Sequence, residues 1–212
     1  MNNAVFSVTE ELVLGDGTTV ITVGDGKNSR KFTVSTRLCS QYGFIKGLEL
    51  SENDIEFISE LAEITRAIKK GLDLLSYSDM SKSALVRKLT SRDFTPDVAQ
   101  SAASQLEIMG YIDEKSHALR LAKSAAKQFY GPLAISDKLR CKGFERKYVQ
   151  HAIQTLMKET DFAENLRIYA EQKGLLDDIL SDGDTKKRQK VYAALLRRGF
   201  TFEHISQLRA DK

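Results

Sequence analysis

The spacing of hydrophobic and polar positions changes once along this chain, near residue 35. Before that point the pattern is that of strands. Val5-Phe6-Ser7-Val8 opens a β-like run that closes with Leu12-Val13-Leu14. Thr18-Thr19-Val20-Ile21-Thr22-Val23 is β-branched at every position, which suits a pleated, half-buried surface. Lys31-Phe32-Thr33-Val34 returns after a turn. Gly15-Asp16-Gly17 and Gly24-Asp25-Gly26 supply the residues that turns demand. The first fifty residues therefore read as a small three-stranded antiparallel meander, which needs something to pack against.

After Ser35 the apolar residues recur at helical spacing. Ser35 is a candidate cap for a short helix that ends before Gly43. Ser51-Glu52-Asn53-Asp54 resembles a capping box. Behind it Ile55, Ile58, Leu61, Ala62, Ile64 and Ile68 form the stripe of a helix running to about Tyr77, with Gly71 as a weak point.

The remainder repeats. Phe94, Phe144 and Phe200 are 50 and 56 residues apart. Nine residues before each stands an aliphatic residue (Leu85, Ile135, Val191), five before it a leucine (Leu89, Leu139, Leu195), and two before it a base (Arg92, Lys142, Arg198). Intervals of this size are those of tandem helical modules. In each unit the aliphatic pair lies on one helix face, and Gly143 or Gly199 fits a left-handed closing residue, with Asp93 in its place in the first unit. The phenylalanine then enters the core. Thr95-Pro96-Asp97 starts the following helix, whose stripe is Val98, Ala102 and Leu106; Val149, Ala152, Ile153 and Leu156 do the same in the second unit. A further helix precedes the later pairs, from Ala118 to Tyr130 before the break at Gly131-Pro132, and from Asp161 to Gln172 before Gly174 and a loop at Ser181-Asp182-Gly183-Asp184.

The predicted architecture is mainly α: three tandem three-helix repeats behind a small antiparallel β-meander. The predicted boundaries are 1–50 for the strands and short helix, 51–114 for the linking helix and first repeat, 115–160 for the second and 161–212 for the third. Each repeat has too little core to stand alone, so neighbours must stack.

Composition adds less. The chain is 42% hydrophobic and 29% charged, which is that of a folded globule. No run is long and apolar enough for a membrane span, and Met1-Asn2-Asn3-Ala4 lacks signal-peptide character. Cys39 and Cys141 suggest no disulfide framework, so a reducing compartment is expected. The net charge of +3 is uneven: −5 over residues 1–65 and +8 over residues 66–212. A basic body suggests a negative partner.

Candidate chemistry is sparse. His117, His151 and His204 have no metal-ligand spacing with either cysteine and are taken as surface or packing residues. Gly24-Asp25-Gly26-Lys27 lacks the Ser or Thr and the upstream glycine of a phosphate loop. The acid pairs Asp113-Glu114 and Asp177-Asp178 sit where helix starts favour negative charge. No nucleophile, base or metal constellation points to an enzyme, and no cofactor is expected. The informative polar set is Arg87, Lys88 and Arg92, then Lys138, Arg140 and Lys142, then Arg197 and Arg198. Stacking would align these into a basic stripe able to follow a polyanion or an acidic groove. A solvated helix face explains the same residues without a partner.

At these residues the chain resembles the RecX family of recombination regulators. The resemblance rests on the thrice-used aliphatic–Leu–base–Phe pattern, on Leu75-Ser76-Tyr77 before the first unit, on Gly110-Tyr111-Ile112-Asp113-Glu114 between the first and second, and on Arg197-Arg198-Gly199-Phe200-Thr201. Tyr42-Gly43-Phe44-Ile45-Lys46-Gly47 after the strands is similar to longer members. It implies tandem three-helix units in a monomeric cytoplasmic protein that binds the RecA recombinase filament on single-stranded DNA. It further implies modulation, mostly inhibition, of strand exchange and coprotease function. The chain differs from the family at Tyr77-Ser78-Asp79-Met80-Ser81, where an Arg-rich stretch is common. A helix-turn-helix-like protein acting on duplex DNA directly is the alternative, because paired helices over tight turns also allow it.

Overall fold

Residues 6–180 and 185–210 are described by the computed structural model of the chain; Val5 and the predicted loop Ser181-Asp182-Gly183-Asp184 lie outside them. The chain divides into two compact units, residues 1–78 with 85–111, and residues 79–84 with 112–212.

In the first unit β1 (Phe6–Val13), β2 (Thr18–Gly24) and β3 (Ser29–Ser35) form the predicted antiparallel meander. A two-residue strand, β4 (Glu49–Leu50), pairs with Phe6 and Ser7 on the far side of β1, giving the order β3-β2-β1-β4. β2 is interior and is buried at every residue except half-buried Val20, which accounts for its unbroken β-branched run. α1 (Thr36–Tyr42) ends on Gly43 in the left-handed region (φ 69). The predicted Ser35 cap is not formed by its side chain; the Ser35 amide instead donates to Thr65 Oγ1 at 2.8 Å.

α2 (Glu52–Tyr77) begins on the predicted capping box. Ser51 Oγ accepts from the Asp54 amide (3.3 Å), and Asp54 Oδ2 accepts from the Ser51 amide (2.8 Å). It packs against β3 and against α4 (Pro96–Ile108). Gly71 serves that packing, because a Cβ there would lie 2.5 Å from Leu106 Cδ1. Between them in sequence runs α3 (Lys82–Thr90), with Leu85 and Leu89 buried. Thr95 accepts from the Val98 amide and Pro96 occupies the first turn of α4, while Val98, Ala102 and Leu106 are buried.

The second unit holds α5 (Glu114–Lys127), α6 (Pro132–Cys141), α7 (Arg146–Glu159), α8 (Phe162–Gln172), α9 (Leu176–Leu180), α10 (Thr185–Arg197) and α11 (Phe202–Ala210). α5 starts four residues before the predicted Ala118, because Asp113 caps it by accepting from the Ser116 amide at 3.0 Å. α5 packs on α6 and α7, α8 on α11, and α9 on α10. One core runs through these helices, with Ile135, Leu139, Leu156, Leu166 and Leu195 among its buried members. The five-residue α9 lies within the longer, 56-residue interval.

All three helix pairs close in the same way. The residue before each phenylalanine has positive φ: Asp93 at 67°, Gly143 at 86° and Gly199 at 89°. The phenylalanines that follow are 8%, 5% and 0% exposed. The Phe144 amide donates to the Leu139 carbonyl (3.3 Å), and the Phe200 amide to that of Leu195 (3.2 Å). These bonds satisfy carbonyls that a helix end leaves open.

Candidate partner-binding face

The eight predicted basic residues stand at or just beyond the C-terminal ends of α3, α6 and α10. That placement has a local cause, since cations offset the negative end of a helix dipole. What distinguishes them is where their charged ends go.

In the first unit Arg87, Lys88 and Arg92 are exposed. Arg92 folds back on its own helix and donates to the Lys88 carbonyl at 3.0 Å. In the second unit Lys138 lies over the Tyr130 ring, 3.5 Å from its centroid. Arg140 pairs with Asp137 one turn earlier on α6. The Lys142 side chain is exposed, while its backbone carbonyl accepts from Ser81 Oγ at 2.7 Å. Arg197 is exposed. Among the described residues Lys88, Lys142 and Arg197 have no salt-bridge partner within 4.0 Å.

Arg198 differs from the rest. Its guanidinium lies between two rings, 4.6 Å from the Tyr130 centroid and 4.3 Å from that of Tyr169. Nε donates to the Phe129 carbonyl and a terminal nitrogen to the Gln128 carbonyl, both at 2.6 Å. These carbonyls sit just past the C-terminal end of α5, so Arg198 fastens α10 to α5. The backbone joins at the same place: the Gly131 amide donates to the Arg198 carbonyl (2.9 Å) and the Leu133 amide to the Gly199 carbonyl (3.2 Å). A Cβ at Gly131 would lie 2.2 Å from the Gly199 backbone.

A groove of about 510 Å³ opens between α6 and α7. Ser136 and Arg140 line one side, Arg146 and Gln150 the other, with Phe144 and Val149 also lining it. Arg146 was not among the sequence candidates, because the recurring bases all lie on the N-terminal side of each phenylalanine. A signal was available: Arg146 and Lys147 open α7, where a cation opposes the dipole, and no acid lies in that turn. Lys147 answers the cost with Glu145 at 2.8 Å.

His117 and His204 belong to the packing. His117 meets the Phe144 ring edge-on at 5.1 Å, and His204 packs against Phe162 and Phe200. Burial pushes the pKa of both below the ordinary histidine value. His204 Nδ1 accepts from the Thr201 amide (3.1 Å) at the start of α11. Among the described residues no group of three or more His, Cys, Asp or Glu could hold a metal ion, and no helix is long and apolar enough to cross a membrane.

Comparison with known proteins supplies a family context. Residues 176–208, spanning α9 to α11, match the RecX third three-helix domain. The chain is 27% identical over 192 residues to the regulatory protein RecX of Lactobacillus gasseri, a match covering 87% of this chain and 67% of that one. It is 33% identical over 136 residues to the regulatory protein RecX of Xanthomonas campestris pv. campestris, covering 63% of this chain and 79% of the relative. Across lactobacillar relatives the matched region spans 47% to 67% of their length. The fold is similar to that of a crystal structure of regulatory protein RecX, with a TM-score of 0.71, 22% identity, and 98% of this chain and 100% of that one covered.

Proposed function

Because the chain belongs to the RecX family of regulatory proteins, we propose that it binds the RecA filament on single-stranded DNA and modulates it, by inhibiting strand exchange and coprotease function. The observation that carries this reading is the threefold helix pair, closed each time on a buried phenylalanine and bearing exposed cations at its first helix's end. A filament repeats its surface, so a chain of repeated modules can meet it more than once. Linked weak contacts then gain from effective concentration. The proposed binding units are residues 51–114, 115–160 and 161–212. The contact residues are Arg87, Lys88 and Arg92, then Lys138, Arg140 and Lys142, then Arg197, with Arg198 holding α10 in place. On this reading the protein works in the cytoplasm as a monomer, without catalysis or a cofactor.

The test is titration into RecA-coated single-stranded DNA while ATP hydrolysis is followed, with bare DNA as the control. A variant carrying Lys88→Glu, Lys142→Glu and Arg197→Glu should bind the filament at least roughly tenfold more weakly with an unchanged helical spectrum, because several charge contacts are reversed. Unaltered affinity would remove those three residues from the contact surface.

The groove between α6 and α7 supports a second reading, direct contact with duplex DNA. Arg140, Arg146 and Gln150 are donors suited to phosphate oxygens and base edges. Equal affinity for bare duplex and filament, lost in Arg146→Glu, would favour it over the first.

A further inference from the structure

Among the described residues strand β3 is an edge of the sheet, hydrogen-bonded to β2 and to no other strand. Its outward side can be assigned. The Thr36 amide donates to the Gly17 carbonyl (3.0 Å), toward β2. The Ser35 amide, one residue earlier, donates away from β2 to Thr65 Oγ1 of α2 (2.8 Å). Backbone direction alternates in an antiparallel ladder, so the amides and carbonyls of Thr33 and Lys31 point the same way as that of Ser35. Thr65 takes up the Ser35 amide. A trough of about 400 Å³ lies between strand and helix there, with Thr65 among its lining.

Lys31, Phe32 and Thr33 form one wall of this trough, and Ala62, Arg66 and Lys69 line the other. Residues 62, 66 and 69 lie on one face of α2. Lys31 and Thr33 are exposed. An open strand edge beside a helix is the geometry in which an extended peptide can add as a further strand. Exposed edges usually carry charge or proline against such pairing; here the charge at the trough is of one predominant sign. Three cations meet one acid, Glu63. Arg66 pairs with Glu63 at 2.6 Å and also lies over the Phe94 ring, 4.9 Å from its centroid. Lys69 pairs with Asp16 at 2.8 Å. Both pairs are solvent-exposed and so are weak enough to exchange for an incoming carboxylate.

We infer that this trough takes an extended acidic peptide segment of a partner protein as an added strand on the open edge of β3. The Thr33 and Lys31 backbones supply the pairing, and Lys31, Arg66 and Lys69 select for acidic side chains. This site uses α2 but none of the proposed filament-contact cations, and it does not depend on the filament reading.

The experiment uses the full chain and fluorescein-labelled eight-residue peptides followed by anisotropy. One peptide alternates valine and glutamate, the other valine and lysine. The acidic peptide should bind at least tenfold more tightly than the basic one and weaken with added salt. Thr33→Pro removes an outward amide without touching the ladder to β2, a substitution an edge strand tolerates, and should lower affinity at least tenfold. Lys31→Glu changes an exposed side chain and should lower it severalfold with an unchanged circular dichroism spectrum, which keeps the test decisive where the proline variant fails to fold. Equal binding of both peptides, no binding of either, or unchanged affinity in Lys31→Glu would overturn the inference. So would competition by single-stranded DNA that Thr33→Pro does not alter, which would give the trough to a nucleic acid. A dimer in sedimentation that Thr33→Pro dissolves would give the edge to a second copy of the chain instead.

Discussion

Arg198 separates a binding residue from a structural one, and its replacement gives a number to test. In Arg198→Ala two carbonyls, of Gln128 and Phe129, lose donors at 2.6 Å, and the Tyr130 and Tyr169 rings lose a cation between them. Hydrogen bonds to charged groups contribute about 1.5–3 kcal/mol each, and exposed cation–π contacts about 0.5–1 kcal/mol each. Arg198 is half-buried and the bond to Gln128 is exposed, so water can replace part of what is lost. The expected net cost is then roughly 2–3 kcal/mol, less than the plain sum because the four contacts share one group. For a unit of this size that corresponds to a fall in Tm on the order of 10 °C. The assay is thermal unfolding followed by circular dichroism, with Arg197→Ala as a control that should move Tm by about 2 °C or less, as exposed positions do. Arg198→Lys should fall between them, because lysine keeps the charge but not the planar fork. If Arg198→Ala melts with the wild type yet loses filament binding, the fastening role is wrong and Arg198 is a contact residue.

Gly131→Ala should cost at least about 3 kcal/mol or abolish soluble expression, because its Cβ would meet the Gly199 backbone at 2.2 Å and overpacking is costly where backbone cannot yield; Gly15→Ala, with open space around it, is the control in denaturant titration. Asp93→Gly should stabilise the first unit by about 0.5–1 kcal/mol, since Asp93 holds φ 67° where the other repeats have glycine; a lower urea midpoint would refute this. Stability carried by His204 should be present above its unfolded pKa of 6.5 and lost as pH falls below that through the lower folded value, because protonated Nδ1 no longer accepts from the Thr201 amide. Urea midpoints measured from pH 7.5 to pH 5 should fall less steeply in His204→Gln, and equal slopes would count against it.

The parts of the fold that were legible in the sequence are those whose physics is local. The capping box at Ser51 and Asp54, the Thr95-Pro96 start and the left-handed closures each involve residues within a few positions of one another. β4 was not legible, because two residues have no period to read. α9, five residues long, has too few turns for a stripe. Ser35 was read as a cap because serine commonly is one, whereas a tertiary partner, Thr65, engages the residue's amide and the side chain makes no cap bond. Phe129, in the left-handed region at φ 57°, had no sequence signal, since glycine and not an aromatic is the usual occupant.

The candidate site shows where local reading stops. Arg92, Lys142 and Arg198 hold the same place, two residues before the phenylalanine, in helix ends of the same geometry. The sequence makes them equivalent. What lies opposite makes them different. Arg92 turns back on its own helix and donates to the Lys88 carbonyl. The Lys142 side chain stays exposed while its backbone holds Ser81. Arg198 meets the end of α5 and two tyrosines, one 68 positions earlier in the chain and the other 29. A repeated motif therefore fixes the direction in which a base leaves the helix, and the neighbouring module fixes whether that base is spent on the fold or left for a partner. The same logic applies to Arg146, whose position at the start of α7 costs energy against the dipole, with no acid in its own turn to offset it. Arg146 lines the groove beside Arg140, and we propose that it serves what enters that groove and not the fold around it.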